Sequence, residues 1–149
     1  MATSPRPAPL LAQLGVLLAN RGAVAGARVR DALAGAGLNM RSAVTLMHLA
    51  EGPINQQALI DLLGVDPSAL VAILNELESL GLASRQRDTA DRRRHIVTMT
   101  ADGINALHTI ESILDKTDDD LFTSLSPDER DQLQRLLTKL DTGACGEDY

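Results

Sequence analysis

Asp66-Pro67-Ser68-Ala69-Leu70-Val71-Ala72-Ile73-Leu74-Asn75-Glu76-Leu77-Glu78-Ser79-Leu80-Gly81-Leu82, followed by Arg85-Gln86-Arg87-Asp88-Thr89-Ala90-Asp91-Arg92-Arg93-Arg94-His95-Ile96-Val97-Thr98-Met99-Thr100, is the stretch on which the reading of the whole chain turns. The Asp66 carboxylate can accept from the free amides of the next turn, and Pro67 stands at a first helical position, where its missing N–H costs nothing. A helix is therefore expected to start here. Leu70, Ile73, Leu77 and Leu80 recur at three- and four-residue steps and predict one buried stripe, with Ser68, Ala69, Ala72, Asn75, Glu76 and Ser79 on a small, polar outer face. Gly81 follows the last apolar residue, where a left-handed backbone ends a helix most easily. The period then changes. Leu82 to Arg87 and His95 to Thr100 are two β-compatible runs joined by a polar Asp88-Thr89-Ala90-Asp91 turn, which predicts a hairpin with Arg92, Arg93 and Arg94 at its tip. Asp88 and Asp91 cannot neutralise three guanidiniums, so positive charge is left to face an outside anion, and a phosphate backbone is the obvious polyanion.

Upstream, Asn55 can cap a helix through Leu63 that Gly64 closes, and Val65-Asp66 leads into the helix just described. Helix, three-residue connection and helix is the spacing of a helix-turn-helix, and a basic hairpin directly after it sharpens that reading. In this order the chain resembles the MarR family of winged helix-turn-helix transcription regulators. Asn55-Gln56-Gln57-Ala58-Leu59-Ile60-Asp61-Leu62-Leu63-Gly64-Val65 looks like the first helix of that motif, and Leu77-Glu78-Ser79-Leu80-Gly81-Leu82 looks like the end of its recognition helix. Asp91-Arg92-Arg93 running into Val97-Thr98-Met99-Thr100 looks like the family's wing, with Met99 in place of the usual Leu. The resemblance covers residues 10 to 142.

What the resemblance implies is a homodimer on a palindromic double-stranded DNA operator, with two recognition helices in successive major grooves. Arg93 falls at the wing-tip arginine position and would enter the minor groove, oriented by a charge-assisted pair with Asp91; Arg92 and Arg94 would contact phosphate. On the recognition helix Ser68 can hydrogen-bond phosphate or base, while Ala69 and Ala72 can at most touch thymine methyls. Gln56 and Gln57 would approach the backbone from the bracing helix. Many relatives carry arginine or another polar group where this chain has Ala69, Ala72 and Glu76, so specificity is expected to depend on groove shape and the wing. Members of the family often bind a small, frequently anionic aromatic molecule between the dimer helices and the winged region, which implies a ligand-responsive repressor with His48 and Arg21 as candidate ligand-binding residues. No other cofactor is expected.

The fold class predicted is mainly α with a small β-hairpin wing, the winged helix-turn-helix at residues 39–99 flanked by dimerisation helices at 10–38 and 100–142. Residues 1–9, with Pro5, Pro7 and Pro9, are expected to form a disordered arm from which Arg6 could touch DNA, and 143–149 a flexible tail. Leu10, Leu14, Leu17, Leu18, Val24, Val29 and Leu33 predict a long first helix interrupted by Gly15, Gly22 and Gly26. Asn39 is a cap for a second helix, Met40 to Glu51, with Ala43, Val44, Met47 and Ala50 inward. After the wing, Thr100 can cap a helix carrying Ile104, Leu107, Ile110, Leu114 and Leu121 on one face. Ser126-Pro127-Asp128-Glu129 is a capping box for a last helix bearing Leu133, Leu136, Leu137 and Leu140. With no sheet to cover, these terminal helices suit burial against a second copy.

Composition narrows the alternatives. The formal net charge of −6 argues against indiscriminate nucleic-acid binding, but residues 1–100 hold 10 Arg and Lys against 8 acids, whereas 101–149 hold 4 against 12. Phe122 and Tyr149 are the only aromatics among the 149 residues, so a ligand pocket can offer little ring stacking. Cys145 is the single cysteine, which excludes an intrachain disulfide framework and a four-cysteine zinc site and suits a reducing cytoplasm. There is no phosphate loop, nucleophile elbow or interpretable His, Asp and Ser spacing, and His48, His95 and His108 are too scattered for a metal site, so no enzyme is expected. Gln13 interrupts the early apolar run, which reads as a helix stripe rather than a secretory signal, and no run is apolar enough to span a membrane. The alternative to a DNA reader is a winged-helix protein-interaction module, favoured by the arginine-poor recognition helix and the negative net charge.

Overall fold

The computed structural model describes residues 10–140; the expected arm at 1–9 and tail at 143–149, with Arg6 and Cys145, lie outside the described residues. A short turn of 3-10 helix at Leu10–Ala12 precedes α1 (Leu14–Gly35), and α2 (Met40–Leu49), β1 (Ile54–Asn55), α3 (Gln56–Leu63) and α4 (Pro67–Ser79) follow. The strands β2 (Ala83–Arg87) and β3 (His95–Met99) lead into α5 (Ala101–Leu121) and α6 (Pro127–Thr138). The protein is thus mainly helical with a small antiparallel sheet, as the sequence predicts.

The helix starts are those that local chemistry dictates. Asn39 accepts from the Ser42 amide, Asn55 from Ala58, Asp66 from Ala69 and Thr100 from Gly103, each satisfying an otherwise orphaned donor. Ser126 and Glu129 form the complete reciprocal capping box. Gly64 and Gly81 take positive φ values of 62° and 69°, where a side chain would be strained, and close α3 and α4.

Three expectations are corrected. The buried stripe of α4 is Leu70, Ile73, Leu74 and Leu77, while Leu80 is 46% exposed. Leu80 follows the last helical residue, and the Leu82 amide already folds back to the Leu77 carbonyl at 2.9 Å, so the chain turns before Leu80 can pack. In α2 the buried residues are Ser42, Ala43, Thr45, Leu46 and Leu49; Val44 and Met47 are half-buried and Ala50 is exposed. Two hydroxyls can enter this core because both are satisfied: Ser42 Oγ donates to Glu76 at 2.9 Å and Thr45 Oγ1 to the Arg41 carbonyl at 2.7 Å. Finally, the expected hairpin is the larger part of a three-stranded sheet of order β1-β3-β2, in which Ile54 pairs with Val97 and Asn55 with Ile96. A two-residue strand has no periodicity to betray it.

The core joins the two ends of the chain to the winged region. Leu33 of α1, Leu46 and Leu49 of α2, Leu59 of α3, Leu70, Leu74 and Leu77 of α4, Val97 of β3 and Ile110 of α5 form one buried cluster. Truncating any of these leucines to alanine should cost about 2–5 kcal/mol.

Two junctions set the angle of the wing. At its root, Thr100 donates its amide to the Leu82 carbonyl and its hydroxyl to the Gly81 carbonyl, at 3.0 and 2.6 Å. A Cβ on Gly103, in the first turn of α5, would overlap the Leu82 carbonyl oxygen and the Met99 side chain, so here the helix needs glycine for close approach. Farther out, Arg85 of β2 reaches across to α4. Its guanidinium bonds the Glu78 carboxylate and, at 2.6 Å, Asn75 Oδ1, while its amide donates to Glu78 Oε1 at 2.8 Å. The Arg85 hydrogen bond holds the Glu78 carboxyl below its ordinary value, and the same bond raises Arg85.

Gly103→Ala should therefore destabilise the fold by about 1–3 kcal/mol, the usual cost of overpacking a tight site, measured by thermal or urea unfolding. Glu78→Gln should cost about 1–2 kcal/mol at neutral pH through loss of charge-assisted hydrogen bonds. Because the folded-state value of Glu78 is depressed from 4.5, the wild-type advantage should be complete above that value and vanish as pH falls through the folded value beneath it. Urea titrations of both proteins over an acid series check this; a gap that persists at the lowest pH would refute the assignment.

Candidate nucleic-acid interface

The helix-turn-helix pair and the wing present their outer groups to solvent together. α4 exposes Ser68, Val71, Ala72, Asn75 and Ser79, which fall at steps of three, one, three and four and so form a single stripe on the helix. Ser68 and Ala72 are on it, as the sequence predicts. Ala69 is half-buried and lines the cleft between α2 and α4 instead, and Val71, which the periodicity did not single out, stands 46% exposed in the stripe. Glu76 points inward: it accepts from Asn39 Nδ2 at 2.6 Å and from Ser42 Oγ, so it ties α4 to the start of α2. The stripe consequently carries no charge.

The wing supplies the charge. Asp88 accepts from the Ala90 amide at 2.8 Å and Asp91 from the Arg93 amide at 3.0 Å, two side-chain-to-backbone bonds that fold the loop. The Asp91 carboxylate also pairs with Arg94 Nε at 3.4 Å, so within the chain its side-chain partner is Arg94 and its bond to Arg93 is to the backbone, not the guanidinium pair expected from the sequence. Both members of the Asp91–Arg94 pair are largely exposed, which makes the pair weak and leaves guanidinium donors to spare. Among the described residues neither the Arg92 nor the Arg93 side chain has an ion-pair partner.

The start of α3 and the wing face each other across an open cleft of about 560 Å³, lined by Asn55, Gln56, Gln57, Asp61, Arg93, Arg94 and His95. The two glutamines singled out in the sequence are thus beside the wing arginines. First-turn amides of a helix carry partial positive charge, and guanidiniums opposite them extend a field suited to phosphate. His48 and Arg21 are not brought together within the chain: His48 lines a second cleft of about 390 Å³ with Arg41, Val44, Leu62, Leu63 and Ile73, whereas Arg21 is exposed on α1. Among the described residues no group of three or more His, Cys, Asp or Glu side chains converges as a metal site would require, and no single helix is long and apolar enough to cross a membrane.

Known proteins share this arrangement. Residues 36–94 match the sequence profile of the MarR family. Over 96 residues the chain is 38% identical to a protein of Thauera aromatica assigned as a transcriptional regulatory protein for the hcr operon; the match spans 64% of this chain and 58% of the relative, little more than half of its length. CouR of Rhodococcus jostii RHA1, solved bound to p-coumaroyl-CoA, is 28% identical and superposes with a TM-score of 0.73 over 87% of this chain and 92% of its own. A mutant MarR of E. coli, solved in complex with operator DNA, is 23% identical and shares the fold at a TM-score of 0.73, covering 89% of this chain and 98% of that one. The helix-turn-helix and basic wing thus match the MarR family profile over residues 36–94, and with the flanking helices the chain has the fold of a MarR-family transcriptional regulator of Rhodococcus sp. RHA1, at 27% identity and a TM-score of 0.77 over 87% of this chain and 93% of that one.

Proposed function

We propose that the protein is a sequence-specific regulator of transcription that binds a palindromic operator in double-stranded DNA as a homodimer, and that it is a ligand-responsive repressor acting in the cytoplasm. The observation that carries this reading is the common exposure of the uncharged α4 stripe, the α3 amino terminus and the unpaired Arg92 and Arg93. Such a surface has neutral groups for base edges beside a cationic region for phosphate. The operator-bound MarR, of the same fold, supports DNA as the partner. In this reading Arg93 enters the minor groove, Arg92 and Arg94 bind phosphate, and Gln56 and Gln57 approach the backbone beside them.

The homodimer is supported by apolar surface at both ends of the chain. Leu10, Leu11 and Leu14 are 76%, 74% and 84% exposed, and Leu136, Leu137 and Leu140 of the α6 region are also open to solvent. Apolar groups so placed gain by leaving water together, and a second copy covers both sets at once. A small molecule as effector is supported by CouR, solved with p-coumaroyl-CoA, and by the partly apolar cleft between α2 and the α3–α4 connection. Arg41, His48 and Asp66 are the polar side chains lining it, and Arg21 is not among its lining residues.

Fluorescence anisotropy with duplex from the gene's own upstream region should show binding that weakens roughly a thousandfold between about 50 and 200 mM salt. Arg93→Ala should weaken it roughly tenfold. Absence of binding at low salt, or indifference to Arg93, would refute this reading and move the choice to the protein-interaction module. In sedimentation, the wild type should run as a dimer, and the paired substitution Leu14→Glu with Leu137→Glu as a folded monomer; a dimer that survives both charges would place the interface elsewhere.

A further inference from the structure

The stripe that α4 offers to solvent has an unusual composition for a surface that chooses among bases, and one of its members is held in a single orientation. Asn75 Oδ1 lies 2.6 Å from Arg85 Nη2. Arginine has donors only, so the amide atom facing it is the carbonyl oxygen. Arg85 is itself fixed by Glu78, one helical turn's neighbour of Asn75, and its side chain is only 25% exposed. The Asn75 amide plane is therefore set with Oδ1 toward β2 and Nδ2 turned away from it, presenting two N–H donors.

Resting on the DNA-binding reading above, we propose that Val71, Ala72 and Asn75 are the specificity-determining residues of α4, with Val71 and Ala72 seated on thymine methyls and Asn75 donating to guanine. An unconstrained asparagine reads adenine with both ends, its oxygen accepting from N6 and its nitrogen donating to N7. Here the oxygen is engaged by Arg85. The remaining donor edge matches guanine, whose N7 and O6 both accept, and meets a like donor at adenine N6. Val71 is 46% exposed, and a β-branched apolar side chain on an open helix face gains from covering a methyl group. From Val71 to Asn75 is a single turn, about 6 Å along the helix. That is less than two base-pair steps of about 3.4 Å. The guanine and a thymine should thus lie within about two base pairs of each other in each half-site.

The test selects duplexes from a randomised library with the full chain, then replaces single bases in the enriched site. Uracil in place of the thymine, which removes only the methyl, should weaken binding roughly fourfold, the worth of one buried methyl group, and Val71→Ser should abolish that sensitivity. 7-Deazaguanine in place of the guanine should weaken the wild type severalfold and leave Asn75→Ala unaffected. Should either variant not fold, the base replacements against the wild type still decide. The proposal is overturned if binding is indifferent to both replacements while Arg93→Ala still weakens it, or if adenine is selected where guanine is expected. A library that yields no enriched, salt-sensitive duplex refutes the DNA-binding reading itself.

Discussion

The placement of the wing rests on Arg85. Two strands alone are marginal in water, and this hairpin projects from the body with an arginine-rich tip that gains nothing from burial. Beyond its root at Thr100 and its pairing with β1, what holds it at a defined angle is a half-buried guanidinium that bridges β2 to Glu78 and Asn75 of α4, reinforced by a backbone bond to the same carboxylate. Charge-assisted bonds with both partners partly shielded from water are worth more than the exposed Asp91–Arg94 pair at the tip. The clamp ties α4 directly to the wing.

The polar residues of the recognition helix follow from this arrangement. Glu76 and Glu78 would be a liability on a surface facing phosphate, yet both are turned inward and engaged, Glu76 by Asn39 and Ser42 and Glu78 by Arg85. The acidic groups of α4 thus serve its attachment to α2 and β2. What remains outward is neutral, and the cationic charge sits on the wing and opposite the start of α3. In the proposed complex, affinity and base choice are carried by different elements.

Much of this was legible in the sequence because it is set locally. Caps at Asn39, Asn55, Asp66, Thr100 and Ser126, and the left-handed glycines at 64 and 81, depend on residues within one turn of each other, and every one is where the residue types require. The features that were not legible depend on distant partners. Ser42 and Thr45 look like surface residues of α2 until Glu76 and the Arg41 carbonyl are known to receive their hydroxyls. β1 is two residues long and exists only because β3 passes beside it. Val71 lies within the apolar run of α4, and only the observed rotation of the helix shows that Leu74 is inside and Val71 outside. Likewise the sequence alone pairs Asp91 with the Arg93 guanidinium, whereas the tightness of the turn brings its carboxylate to the Arg93 amide and to Arg94.

The distribution of charge then gives the proposed complex an orientation. Of the described residues from 101 onward, 9 are acidic and 4 basic, and Asp102, Asp115, Asp118, Asp119 and Asp120 lie on α5. A polyanion approaching this molecule is repelled from the α5–α6 side and drawn to the wing, a bias that operates within a Debye length of about 8 Å at physiological salt. An overall negative charge is therefore compatible with the proposed DNA binding: the aspartates of α5 are not on the wing, where Arg92 and Arg93 have no ion-pair partner among the described residues.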